Sequence, residues 1–262
     1  MSSPARPAPL SETAEKFVRP LRAKPGARLR LYMFPFAGGG MAAFQAWPDG
    51  MGPQVEVCPV RLPGRESRYA EKPFTRMQPL AQTLAEIIDY ESRKPGALPF
   101  VLFGHSLGAV LSYEVTRALS PTALGKMKRL IVSGRYSPPE PPRNPPVHHL
   151  TDKELVDQMV ERYNGIPQAV LDVPELLDLI LPPLRADMEM IETYTYAPGP
   201  KLKVPMAALG GREDLGVPQE SLDKWGELTD GEFETHMFDG GHFFIQSHLP
   251  QVLPVVRRLL GL

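Results

Sequence analysis

The sequence contains a single cysteine, so no disulfide can close within the chain and nothing in its cysteine usage asks for an oxidising compartment. It has almost no net charge, because 29 Lys and Arg against 30 Asp and Glu leave −1. That balance offers no global attraction to nucleic acid or to an anionic membrane surface. No apolar run approaches the roughly 18 residues that a membrane-spanning helix needs. The N-terminus has no apolar core of a secretory signal, and the chain is expected in the cytoplasm. Neither G-x-G-x-x-G nor a Gly-Lys-Ser/Thr phosphate loop occurs, no His/Cys/Asp/Glu group has metal-ligand spacing, and no internal repeat is present. No cofactor and no metal are therefore expected. What is left, 42% hydrophobic and 23% charged residues, is the composition of an ordinary globular domain with a sizeable core. Cys58, inside the apolar run 55–60, reads as a small core residue.

Strand patterns alternate with helix patterns along most of the chain. Apolar runs at 29–34, 55–60, 100–103, 129–134, 204–211 and 232–238 read as strands. Helical spacing appears around 41–47, over 80–88, after 106, over 218–227 and over 249–260. Thr75-Arg76-Met77-Gln78 has the form of a capping box at the head of the second of these. The alternation predicts an α/β fold, a mostly parallel central sheet with helices on both faces. Residues 1–28, rich in Pro, Ala and Arg, read as an extension outside the core with a short helix at 11–18. Residues 29–262 read as one domain, interrupted at about 135–200 by an insertion that opens with a Pro-rich run. Helices are expected there at 153–162, behind a Thr151/Asp152 cap, and at 174–181 and 184–194, separated by proline breaks. Such a helical insertion predicts a lid. Leu176, Leu177, Met188, Met190 and Ile191 either line an apolar pocket under it or pack it onto the body.

The chemistry concentrates at Gly104-His105-Ser106-Leu107-Gly108, between an apolar strand and a helical pattern continuing through Leu111, Val115 and Leu119. Strand, G-x-S-x-G turn and helix form the nucleophile elbow of the α/β-hydrolase fold, which lifts a serine hydroxyl above the sheet edge. A serine needs a base within hydrogen-bond reach, and that base needs a carboxylate to hold its tautomer. In this fold the order is Ser, then Asp or Glu, then His, each beyond a strand's C-terminal end. Ser106, Asp214 and His242 meet both conditions. Of the other histidines, His105 lies inside the elbow, His148 and His149 in the insertion, His236 mid-strand and His248 at the start of the last helix. Glu213 competes with Asp214 for the acid, with Asp187 as the outside alternative. The oxyanion of such a reaction needs backbone N–H donors, expected from Leu107 and from Ala37 in the loop after the first strand.

The chain resembles the type II thioesterases that accompany modular polyketide and nonribosomal peptide synthases, from about residue 29 onward. The resemblance lies in Phe34-Pro35-Phe36-Ala37-Gly38-Gly39, Leu62-Pro63-Gly64-Arg65-Glu66-Ser67-Arg68, the elbow, Leu181-Pro182-Pro183-Leu184-Arg185-Ala186-Asp187, the turn 211–217 and Gly240-Gly241-His242-Phe243-Phe244. It implies hydrolysis of acyl groups stalled on the phosphopantetheine arm of acyl or peptidyl carrier proteins, an editing role, and a helical lid; the chain is expected to act as a monomer. A general carboxylesterase or lipase of the same fold, or a hydrolase-fold binding module without turnover, remain alternatives. The chain departs from the family in its extended N-terminus and in Tyr163-Asn164-Gly165, where Gly-Gly is common. Because the implied partners are acidic, Arg61, Arg65, Arg68 and Lys72 predict a docking patch; the alternative is an internal Arg65–Glu66 pair that pins the loop.

Overall fold

Period-2 alternation inside the apolar runs sets the architecture. Leu31, Met33, Val101, Phe103 and Ile131 face one apolar layer, and Tyr32, Phe34, Leu102, Leu130 and Val132 face the other. The computed structural model describes residues 9–262. Strands β1 (Leu29–Phe34), β2 (Val55–Pro59), β3 (Phe100–His105), β4 (Met127–Ser133), β5 (Met206–Gly211) and β6 (Phe233–Phe238) form one sheet in the order β2-β1-β3-β4-β5-β6. Every pairing between them is parallel, as the α/β reading predicts. Strands buried on both faces need continuous apolar sequence, which is what β3 and β5 have. Cys58 is buried in β2, as expected, and burial raises its thiol pKa.

The helices are α1 (Leu10–Phe17), α2 (Trp47–Met51), α3 (Met77–Arg93), α4 (Leu107–Ala118), α5 (Pro121–Leu124), α6 (Asp152–Tyr163), α7 (Gln168–Leu171), α8 (Pro174–Glu192), α9 (Gln219–Asp223), α10 (Phe244–Ser247) and α11 (Leu249–Leu259). Helices α1, α3 and α4 pack into the layer of Tyr32 and Leu102, while α2 and α11 pack into that of Met33 and Phe103. The strand order reverses between β1 and β3, and ligands in open α/β sheets sit beyond the strand ends at such a point. The loops after β1 and β3 meet there.

Three expectations are corrected. The N-terminal segment is not a tail outside the core: Ala14, Phe17 and Val18 are buried in the same cluster as Leu80 and Leu84 of α3. Val18 also bridges Val60, and the Arg61 N–H donates to the Phe17 carbonyl at 2.8 Å. Three apolar positions spaced i, i+3, i+4 suffice to seat this helix. Residues 1–8 of the expected extension lie outside the described residues. Second, α3 starts at Met77 with Arg76 at its N-cap and no side-chain cap, so the box expected at Thr75 does not form. Third, Pro182 and Pro183 do not divide the insertion into two helices, because α8 runs through both. They remove two backbone donors, yet Leu181, Pro183, Leu184, Ala186, Asp187, Met188, Met190 and Ile191 are all buried. That packing holds the helix together across the gap. Helix α6 does begin with the capping box of Thr151 and Glu154, and ends on Asn164 at φ 49°. Asn tolerates this left-handed terminus, the usual place for a glycine.

Candidate active site

Strand β3 is forced into a sharp turn at Ser106, whose φ of 56° and ψ of −116° lie where few side-chain-bearing residues sit. Such conformations cost on the order of 1–3 kcal/mol and persist only where the surroundings impose them. Here Gly104 and Gly108 impose them by close approach: a Cβ on Gly104 would lie 2.0 Å from the Gly108 carbonyl oxygen, and one on Gly108 would lie 2.2 Å from that of Phe34. The Ser106 N–H donates to the Ser133 carbonyl of β4 at 2.7 Å, which ties the apex down. The hydroxyl is left facing a cavity of about 1030 Å³.

His242, in the loop between β6 and α10, brings Nε2 to 3.0 Å from Ser106 Oγ. Its Nδ1 lies 2.6 Å from Asp214 Oδ2, in the loop after β5. Asp214 Oδ1 accepts from the Gly216 N–H at 3.2 Å, so both carboxylate oxygens are engaged. Asp214 and His242 are each 7% exposed, whereas neighbouring Glu213 is exposed and reaches neither. The three residues singled out in the sequence thus lie in one hydrogen-bonded row, and Asp187 is not part of it. An arrangement of this kind can deprotonate the serine through the imidazole while the carboxylate steadies the imidazolium.

Above the row, Leu107 opens α4, whose N-terminal end favours negative charge. Ala37 sits in the loop after β1, where the next two amides are already used. The Gly38 N–H donates to Asp187 Oδ2 at 2.8 Å and the Gly39 N–H to the Phe36 carbonyl at 2.9 Å. Both Ala37 and Leu107 line the cavity together with Ser106 and His242. Its walls include Met159, Val160, Tyr163 and Ile166 of the insertion, and Leu184, Met188 and Ile191 of α8. Of the apolar residues predicted as lining or packing, Met188 and Ile191 line the cavity. Met190 is buried outside that lining, and Leu176 is exposed.

Two rings pack on His242 in a way that the sequence does not reveal. The Tyr163 ring packs at 4.8 Å from the imidazole, and that of His105 at 5.2 Å. Burial raises the Tyr163 pKa, partly countered by Arg135 and Arg162. His105 is fully buried, with Nδ1 2.9 Å from Ser133 Oγ. Burial, with His242 a smaller cause, pushes its pKa well below the usual histidine range.

The basic loop is also corrected. Arg65 and Arg68 are each 7% exposed. Arg68 pairs with Glu71 and lies 3.9 Å over the Phe17 ring. Arg65 pairs with Asp187, not with Glu66, whose carboxylate instead accepts from the Ala42 N–H at 3.2 Å. Long side chains with guanidinium tips turned inward do not form a four-cation docking patch. From sequence alone nothing distinguishes an inward arginine from an outward one when its partner lies 122 positions away.

Comparison with known proteins identifies the family of the chain. A thioesterase-domain family model matches residues 29–260. The gramicidin S biosynthesis protein GrsT of Aneurinibacillus migulanus is 37% identical over 236 residues, 90% of this chain and 90% of its own. Thioesterase PikA5 of Streptomyces venezuelae is 32% identical over 93% of this chain and 85% of its own. The solved structure of the type II thioesterase BorB, from the borrelidin biosynthetic cluster, superposes with a TM-score of 0.80 at 34% identity, covering 93% of this chain and 97% of BorB. With a thioesterase-domain match over most of its length and these relatives beside it, the chain belongs to the thioesterase family, among its type II thioesterases of α/β-hydrolase fold.

Proposed function

We propose that this thioester hydrolase removes acyl groups from the phosphopantetheine arm of acyl or peptidyl carrier proteins, an editing role beside a polyketide or nonribosomal peptide synthase, by way of an acyl-enzyme on Ser106. The observation that carries the reading is the Ser106–His242–Asp214 row opening on a large cavity with apolar walls. Ser106 Oγ attacks the thioester carbonyl while His242 Nε2 takes its proton, and Asp214 holds the other ring nitrogen as a donor. The oxyanion is met by the Leu107 and Ala37 N–H groups. Collapse breaks the C–S bond, and the thiol leaves with the proton from His242. Water then attacks the ester through the same base, releasing the acid and restoring the serine. Residues 135–200 carry the lid of this chamber, and residues 29–262, with α1 packed into their core, form the thioesterase domain. The enzyme works as a monomer in the cytoplasm; among the described residues no helix is long and apolar enough to cross a membrane.

Fluorophosphonate labelling of Ser106 and its loss in Ser106→Ala test the nucleophile. Alanine keeps the Cβ that serine already carries at this strained turn, so the variant should fold and only the labelling should be lost. A panel of acyl-loaded carrier proteins tests the substrate. Rapid turnover of oxygen esters without release from carrier-bound thioesters would favour a general carboxylesterase instead.

A further inference from the structure

Two stretches that carry the family resemblance, 62–68 and 181–187, take no part in the Ser106–His242–Asp214 row. In the folded chain they meet each other at the loop after β1. Asp187 of α8 has a side chain only 1% exposed. Its Oδ2 accepts from Arg65 Nη1 at 2.6 Å and from the Gly38 N–H at 2.8 Å, and its Oδ1 accepts from Arg65 Nη2 at 2.9 Å. Arg65 Nη1 also donates to the Gly39 carbonyl at 2.9 Å. Carboxylate and guanidinium together therefore grip the N–H of Gly38 and the carbonyl of Gly39. Leu184, one turn earlier on α8, lies over Gly38, where an added Cβ would come 3.3 Å from its Cδ1. Glu66, held at a left-handed φ of 50°, covers Gly40 and ties Ala42.

A bidentate pair with both charges out of water is a weak way to gain stability, since apolar residues of similar volume often serve as well or better. Arg65 Nε has no partner among the described residues, which adds to that cost. What the pair does supply is direction, because a fork-on-carboxylate contact fixes both partners in one plane. We infer that Arg65 and Asp187 are positioning residues for the oxyanion hole, fixing the Gly38 amide and Gly39 carbonyl so that the preceding Ala37 N–H faces the developing oxyanion. Because Asp187 belongs to α8, the hole is completed by the insertion and not by β1 alone. This rests on Ala37 and Leu107 being the oxyanion donors.

The test compares the full chain with two variants, the double Arg65→Met/Asp187→Leu and the single Arg65→Lys. The double variant removes both charges at once, so no lone buried ion is left behind to unfold the protein. Arg65→Lys keeps the charge pair but cannot reach both Asp187 oxygens and the Gly39 carbonyl at once. Three quantities are read: kcat and KM on an acyl-pantetheine thioester, affinity for a trifluoromethyl ketone analogue, and the thermal midpoint. Ser106 Oγ adds to the ketone carbon to leave an oxyanion, with its proton on His242, so the analogue reports on the hole itself. In the double variant, kcat and analogue affinity are expected to fall together by about 10²–10³, the usual loss for one oxyanion donor. KM is expected to stay within about threefold and the thermal midpoint near wild type. Arg65→Lys shows the same pattern in smaller measure, and because it leaves no buried charge unpaired it decides the matter if the double variant does not fold. A folded variant with kcat within about threefold of wild type would overturn the inference. A fall in kcat with analogue affinity intact would overturn it too. Absence of phosphonate labelling at Ser106 in the wild type would instead overturn the active-site reading, and this inference with it.

Discussion

At the scale of single residues, the acid of the row is the sharpest assignment to test, because Asp214 and Glu213 are adjacent and chemically alike. One is buried 2.6 Å from His242 and the other is exposed. Asp214→Asn should lower kcat by about four orders of magnitude, because an amide favours the wrong imidazole tautomer. Glu213→Gln should leave steady-state kinetics unchanged; the reverse pattern would move the acid. These residues were legible in the sequence because each follows a strand in an order the fold prescribes. The Arg65–Asp187 pair was not, because nothing local marks two charges far apart in sequence as partners; Asp187 entered only as a rival acid and as the end of a stretch that carries the resemblance. His105 was legible as a non-catalytic histidine, but its burial was not, and burial has a consequence in pH. Its folded pKa lies well below 6.5, so as pH falls the unfolded chain takes up this proton first. The stability it confers is complete above the unfolded value and is lost downward through the window between the two, by up to about 1.4 kcal/mol per pH unit. Denaturant unfolding of wild type and His105→Gln between about pH 7 and pH 5 should show a flatter slope for the variant. Parallel slopes would mean that the ring is charged, or titrates freely, in the folded state.

At the scale of elements, the insertion divides in a way that its prolines conceal. Sequence reasoning charges Pro182 and Pro183 their full helix-breaking cost, and the charge is correct locally. It misses the repayment, because burial of Leu184, Met188 and Ile191 depends on a surface supplied by the distant body. The same helix before the prolines has little to hold it: Leu176 is 40% exposed and Leu179 54%. Short α7 ahead of it has no buried residue at all. Local stability follows buried contact, so the two parts of the insertion should open independently. Amides of 164–180 should exchange with deuterium well before those of β3, while those of 185–192 should be protected on the time scale of the sheet. Exchange over 164–180 as slow as in β3 would argue against a moving lid. Protection of 185–192 is what the proposed hold of Asp187 on the loop after β1 requires, whereas the mouth of the chamber can move without disturbing that loop. Gating and chemistry would then be separated along one helix.

At the scale of the whole molecule, the family match begins at residue 29, yet packing begins with α1. The helix contributes more than a cover. Phe17 lies in the core beside α3, its carbonyl accepts from the Arg61 N–H, and its ring supports the Arg68 guanidinium. Arg68 in turn donates to the Arg61 carbonyl at 2.6 Å and pairs with Glu71, closing the loop that carries Arg65 and Glu66. A line of contacts thus runs from the N-terminal helix through the 61–71 loop to the loop after β1 and on to α8. The composition of residues 1–28, poor in apolar periodicity, hides this, because only three positions of α1 and its exit do the packing. Phe17→Ala should cost about 3–5 kcal/mol of unfolding free energy, the usual range for a buried phenylalanine. It also removes the cation–π contact with Arg68, worth about 0.5–2 kcal/mol, and the two losses share one site and will not simply add. Urea denaturation of the two proteins measures the sum. A change below about 0.5 kcal/mol, the level of an ordinary surface substitution, would show that α1 is an appendage after all. If the line of contacts matters for turnover as well, the folded fraction of the variant at low temperature should show a lower kcat with KM little changed, since the disturbed loop meets the cavity through Arg65 and Glu66 beside the proposed oxyanion loop, whereas most of the apolar wall comes from the insertion.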